Sequence, residues 1–171
     1  MNEQPESGFP LAYLITIRTY GTWLHGDEKG SVDRHGFNTY GALRMSHNEK
    51  LENFMKQEMK EPPFYLNKEE RVCVLKSIKE VCDFRGYELH AVNIRTNHLH
   101  AVISGQVQPE KIVNDFKSYA TRNLRSANLI DKSRTVWARG KSGKYLWKRR
   151  HVEIAVDYVL FGQGDEIPEF D

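Results

Sequence analysis

Residues 87–104 read Tyr-Glu-Leu-His-Ala-Val-Asn-Ile-Arg-Thr-Asn-His-Leu-His-Ala-Val-Ile-Ser. Two runs rich in apolar and β-branched side chains flank Arg95-Thr96-Asn97, a tripeptide of hairpin-loop length. The stretch therefore predicts two antiparallel strands, 87–94 and 98–104. Upstream, Asn67 is a good N-cap with Glu69 and Glu70 in the first turn, and the helix it opens runs to about Phe84 and ends at Gly86. Its apolar face is expected at Val72, Leu75, Ile78, Val81 and Cys82. Downstream, Pro109 opens a helix to about Ala127, with Ile112, Val113, Phe116, Ala120 and Leu124 as its stripe.

Further out, 11–18 reads as a strand, and 145–147 as a short one after a flexible turn at 140–144. A final helix is expected over 152–161, closed by Gly162. A short helix over 47–60 is stopped by Pro62 and Pro63, and the glycine-containing stretch 19–46 reads as a long loop. The core order is strand–helix–strand–strand–helix–strand, the ferredoxin-like arrangement. The expectation is one α+β domain over 1–171: a ferredoxin-like antiparallel sheet with helices packed mainly on one face, a long N-terminal loop, and a C-terminal basic segment and helix. Residues 1–10 and 165–171 are expected as loose tails.

With 171 residues, 39% hydrophobic and 28% charged, the composition is that of a globular chain and argues against global disorder. No apolar run is long enough to span a bilayer, and the first ten residues lack the apolar core of a secretory signal. Cys73 and Cys82 stand nine residues apart in one helix, roughly 13 Å along its axis, too far for a disulfide. They suit a reducing, cytoplasmic setting, with nucleoid-associated activity if the partner is DNA. The net charge of +2 conceals a sorting. Residues 117–150 hold eleven of the 25 Lys and Arg and one of the 23 acids, a net of +10, and the rest of the chain carries 14 bases against 22 acids, a net of −8. Such asymmetry points to a polyanion, most simply nucleic acid.

In Asn97-His98-Leu99-His100-Ala101-Val102-Ile103 the alternation of a strand puts His98 and His100 on one face and Leu99, Ala101 and Ile103 on the other. Two imidazoles one pleat apart can share a divalent metal. Read alone, the pattern also fits a histidine pair on a half-exposed strand. In the following helix Tyr119 and Asn123 lie one turn apart, flanking the buried side and expected to face the sheet. A phenol and an amide there also suit ordinary packing. Together with the histidines they would suit phosphodiester cleavage, with a tyrosine oxygen attacking phosphorus and a cation favouring phenolate.

The His98-Leu99-His100 triplet resembles the histidine–hydrophobic–histidine motif of the HUH nucleases. Phe116-Lys117-Ser118-Tyr119 followed by Asn123 resembles the nucleophile helix of the single-tyrosine HUH transposases, closest to the REP-associated tyrosine transposases and insertion-sequence transposase-like proteins. Arg18-Thr19-Tyr20-Gly21-Thr22-Trp23-Leu24-His25-Gly26-Asp27 and Trp147-Lys148-Arg149-Arg150-His151-Val152 resemble further family segments, so the likeness runs from about Leu11 to Gly164. The resemblance implies a metal-dependent transposase that cuts single-stranded DNA beside a hairpin and transfers the strand, using Mg²⁺ or Mn²⁺. It implies Tyr119 as the nucleophile that forms a 5′-phosphotyrosine, His98, His100 and Asn123 as metal ligands, and a monomer or homodimer.

Arg18, Trp23, Lys117, Arg122, Lys144, Trp147, Lys148, Arg149 and Arg150 are the candidate nucleic-acid contacts, cations for phosphates and indoles for bases. Two alternatives stay open: a binding module that grips hairpin DNA or RNA without cutting, and a metal phosphoesterase that uses water, with Tyr119 structural.

Overall fold

The computed structural model describes residues 8–22, 49–140 and 142–162. Its elements are β1 (Ala12–Arg18), α1 (Glu49–Gln57), α2 (Lys68–Arg85), β2 (Glu88–Ile94), β3 (His98–Ser104), α3 (Pro109–Ser126), β4 (Ser142–Leu146) and α4 (Arg149–Phe161). The four strands form one sheet in the order β2-β3-β1-β4, with every neighbouring pair antiparallel. Helix α2 carries the chain from β1 past β3 to β2, and α3 carries it from β3 past β1 to β4. This is the expected ferredoxin-like topology.

Local chemistry sets the ends of α2 as expected. The Asn67 side chain accepts from the Glu70 amide at 2.9 Å, while the Glu70 carboxylate accepts from the Asn67 amide at 2.8 Å, a reciprocal cap. Gly86 closes the helix at φ 70°, in the left-handed region that costs glycine little. The buried face is turned from the expected one, and Leu75 is only half-buried. Val74, Ser77, Ile78, Val81 and Cys82 are buried and Val72 is exposed, because α2 also packs on α3 and presents a rotated stripe to that groove. Burial pushes the Cys82 thiol up to about 12, so it behaves as a small hydrophobe.

The sheet is covered on both sides. Tyr13, Ile15, Ile17, Leu99, Ala101 and Ile103 meet α2 and α3 in the larger core. Ala12, Leu14, Ala91, Val102 and Leu146 meet Ala155, Tyr158 and Val159 of α4 in a smaller core on the opposite face. Burial on two faces explains why β1 reads as a near-continuous apolar run.

Two boundaries shift. The basic triplet partly belongs to α4, which starts at Arg149 with Lys148 as its N-cap. Residues 142–144, expected as a turn, are strand, because the open edge of β1 pairs with them. Gly143 tolerates this place for lack of a side chain: a Cβ would stand 3.3 Å from the Pro109 Cβ. The expected readings of Trp23, most of the loop 19–46 and the tail 165–171 lie outside the described residues.

Candidate active site

The parity of β3 decides where the site is. Leu99, Ala101 and Ile103 are the apolar side and turn toward the crossover helices α2 and α3. His98 and His100 therefore turn the other way, toward α4. His100 is buried, with a ring centroid 4.8 Å from that of His98 and 5.3 Å from that of Tyr158 on α4. The Tyr158 hydroxyl lies 3.4 Å from His100 Nε2.

Neighbouring strands complete the row. Thr16 of β1 and Asn93 of β2 are the cross-strand partners of His100, and Arg18 is the partner of His98. The Thr16 hydroxyl is 2.8 Å from His100 Nδ1. Asn93 reaches this face only because β2 bulges between Leu89 and Ala91, which puts Leu89 and Val92 on one side and Ala91 and Asn93 on the other. Its amide then donates to the Val159 carbonyl in the last turn of α4 at 3.1 Å, and so pins α4 beside Tyr158. Gly162 follows without a side chain. A Cβ there would lie 3.1 Å from the Tyr158 ring.

Burial first, and then His98, Arg18 and Arg95, push the His100 imidazole down to about 3, so it is neutral at physiological pH. The His98 Nδ1–H donates to the Asn97 side-chain oxygen at 2.7 Å, since that oxygen can only accept. Asn97 thus engages Nδ1 of His98, and Thr16 engages the corresponding Nδ1 of His100. Imidazoles whose Nδ1 atoms are fixed by neighbours, with His100 held neutral by burial, suit a divalent cation. The donor set is partial: among the described residues no group of three His, Cys, Asp or Glu side chains converges on a metal position.

Tyr119 and Asn123 do not join this constellation, which corrects the expectation from the sequence. Both sit on α3, across the sheet from the histidines. Asn123 donates to Ser77 and Glu80 of α2, each at 3.0 Å, and Tyr119 packs beside Phe84 of α2 with Arg122 4.4 Å above its ring. The sequence reading paired the helix next in the chain with the histidines, but that helix covers the apolar side of their strand.

The remaining candidates divide. Arg18 is at the histidine row. The Lys117 ammonium is half-buried and donates to the Ala138 and Gly140 carbonyls, both at 2.9 Å, so it braces the segment before β4 rather than projecting as a free surface cation; burial lowers its pKa. Lys144 stands on the edge strand opposite Leu14, on the α4 side. The Trp147 ring stacks on Tyr145 with centroids 6.2 Å apart and planes 14° from parallel. Lys148, Arg149 and Arg150 are exposed at the start of α4. Thr16, Asn93, Tyr158 and Gly162 were missed. Tyr158 carried a signal: His151, Ala155, Tyr158 and Val159 recur at helical spacing, a stripe with two polar members.

No curated protein sequence matches the chain. Solved structures resemble it, two of them transposases. One is a REP-associated tyrosine transposase bound to a REP hairpin, at 12% identity and a TM-score of 0.48, covering 88% of this chain and 65% of that one. The other is a transposase-type protein from Deinococcus radiodurans R1, at 12% identity and a TM-score of 0.45, covering 97% of this chain and 100% of that one. Among the described residues no helix is long and apolar enough to cross a membrane. Residues 54–159, from α1 through Tyr158, match the family model of IS200-like transposases, and the chain belongs to that family.

Proposed function

We propose that the protein is a single-stranded DNA transesterase in which Tyr158 is the nucleophile and His98 and His100 hold a divalent cation, Mg²⁺ or Mn²⁺. The observation that carries this reading is the 3.4 Å separation of the Tyr158 hydroxyl from His100 Nε2 on the histidine face of the sheet. When bound, the cation supplies positive charge that polarises a phosphate and favours phenolate.

The chain's own residues do the rest. Thr16 and Asn97 fix the two imidazoles, Asn93 fixes the helix that carries Tyr158, and Arg18 sets a guanidinium beside the row where phosphoryl charge develops. The Tyr158 oxygen attacks phosphorus in line, a P–O bond forms, and the bond to the 3′-oxygen breaks. The 3′-oxygen leaves with a proton and the DNA stays on the enzyme as a 5′-phosphotyrosine. A 3′-hydroxyl attacking that linkage reverses the step and joins strands. Hairpin DNA beside the cleavage point is the substrate the family membership favours, with phosphates tracking along α4 toward Lys148, Arg149 and Arg150.

The test is a denaturing gel with labelled single-stranded hairpin DNA from the gene's own flanks, in Mn²⁺ or Mg²⁺, beside an EDTA control and Tyr158→Phe. A covalent band that needs both the metal and Tyr158 is expected. Cleavage that persists in Tyr158→Phe would refute the nucleophile, and a band that persists in EDTA would refute the cation.

A further inference from the structure

Across the sheet from the histidines, the outer side of α3 carries a groove of about 750 Å³ lined by Lys117, Ser118, Thr121, Arg122, Arg125 and Lys132. Two helical rows build its floor: Lys117, Thr121 and Arg125, and beside it Ser118, Arg122 and Ser126, each stepped by four residues, roughly 6 Å of rise. Lys132, from the segment after α3, forms the facing wall. Four cations and three hydroxyls line the space and no carboxylate does. Like charges this close repel unless counterions or a bound polyanion neutralise them.

A second feature continues from the same residues. Arg122 stacks over Tyr119 at 4.4 Å, Tyr119 lies against Phe84 with centroids 6.4 Å apart, and Arg85 covers Phe84 at 5.3 Å. Phe84 is 70% exposed. A largely exposed phenylalanine with one guanidinium over its ring offers a stacking surface, and alternation of aromatic rings with arginines is how proteins grip unpaired bases without reading sequence. Glu80, held by Asn123, lies to the α2 side. A strand that stacks on Phe84 and Tyr119 runs past Arg122 along α3 toward Arg125 and Lys132, with Glu80 on its α2 flank.

We infer that the α2–α3 face is a second binding site for unpaired DNA: phosphates lie in the groove on Arg122, Arg125 and Lys132, and a base stacks on Phe84 and Tyr119. This deepens the transposase reading and rests on it. The site holds a stretch of the substrate remote from the reacting phosphate, and Tyr119 serves as a stacking surface rather than as a nucleophile.

Binding of fluorescein-labelled oligo(dT) in EDTA, followed by anisotropy against salt, tests the site without any cleavage. The triple variant Arg122→Ala, Arg125→Ala, Lys132→Ala is expected to lose on the order of tenfold or more in affinity at low salt. The slope of log affinity against log salt should fall by about two, at roughly 0.7 per phosphate contact on a single strand. Phe84→Ala is expected to weaken binding roughly tenfold with the slope unchanged. Iodouracil-substituted oligonucleotide, irradiated and mapped by mass spectrometry, should crosslink to Phe84 or Tyr119. All four side chains are exposed, and circular dichroism of each variant checks that the fold is kept. An unchanged slope in a folded triple variant, or crosslinks confined to α4, would overturn the proposal. So would a blunt duplex that binds as tightly as oligo(dT) and loses as much on mutation. Absence of a Tyr158 adduct in the cleavage assay would refute the transesterase reading and leave these binding outcomes distinguishable from it.

Discussion

Tyr158 and Tyr119 are both phenols on amphipathic helices, separated by which side of the sheet their helix covers. Tyr158→Phe is expected to abolish the covalent DNA adduct, with a melting temperature within a few degrees of wild type, since a single hydrogen bond is worth only about 0.5–1.5 kcal/mol. Tyr119→Phe keeps the ring and should still form the adduct, and the same denaturing gel reads both. Tyr87 offers a pH test away from the site. Burial, together with its hydrogen bond to Asp115 and the charge of that carboxylate, raises its phenol above the usual value near 10. The folded chain thus keeps the proton longer than the unfolded one. The stability this provides is complete below about pH 10 and declines as pH rises beyond it. Urea midpoints measured between neutral pH and pH 11 should fall more steeply for wild type than for Tyr87→Phe; parallel curves would contradict the shift.

Among the elements, α4 is the one whose sequence works against its own stability. Its N-cap, Lys148, makes no side-chain cap, and the first turn holds Arg149 and Arg150 and no acid. Cations there oppose the helix dipole, each at a cost of about 0.3–1 kcal/mol. Lys148→Asp would supply the missing cap and remove a misplaced charge, and is expected to raise stability by about 1 kcal/mol while weakening DNA binding. Arg149→Gln with Arg150→Gln should shift both in the same directions, with a shallower salt dependence of binding. Chemical denaturation and anisotropy on the same samples check the pair of effects. If stability rises and the salt slope stays put, the basic turn is not on the DNA. By contrast, the ends of α2 are locally consistent, and Asn67→Ala is expected to cost about 1 kcal/mol with no effect on cleavage.

At the scale of the molecule, both faces of a four-stranded sheet have to be covered, and among the described residues α4 covers one of them alone. Truncation before Lys148 would bare Leu14, Val102 and Leu146 while α2 and α3 keep the larger core. The truncated chain is expected to bind a hydrophobic dye and to lose its cooperative thermal transition. A sharp transition without dye binding would mean that the α4 face is dispensable. The charge sorting also acts at this scale. The basic block is one run in the sequence, yet the fold splits it. Arg122, Arg125 and Lys132 lie on the α3 face, Lys144 lies on the α4 side of the edge strand, and Lys148, Arg149 and Arg150 lead into α4.

Periodicity and punctuation are local, and they alone determined most of the architecture. Asn67 and Gly86 bracket α2, Pro109 opens α3, the 95–97 tripeptide closes the hairpin, and the order of elements fixes the ferredoxin-like sheet. Alternation in β3 likewise set His98 and His100 on a common face. Which helix they meet is a tertiary matter. Both crossover helices lie on the face that Leu99, Ala101 and Ile103 cover, so the histidines meet the last helix, far off in sequence, and not the next one. That inference needs the parity of the strand and the side of each crossover at once. Asn93 needed still more, because its face depends on a bulge one strand away, and Ser142-Gly143-Lys144 became strand because β1 had an open edge to pair. Side chains brought together by packing across a sheet leave no period in the chain, and only the folded arrangement distinguished Tyr158 from Tyr119.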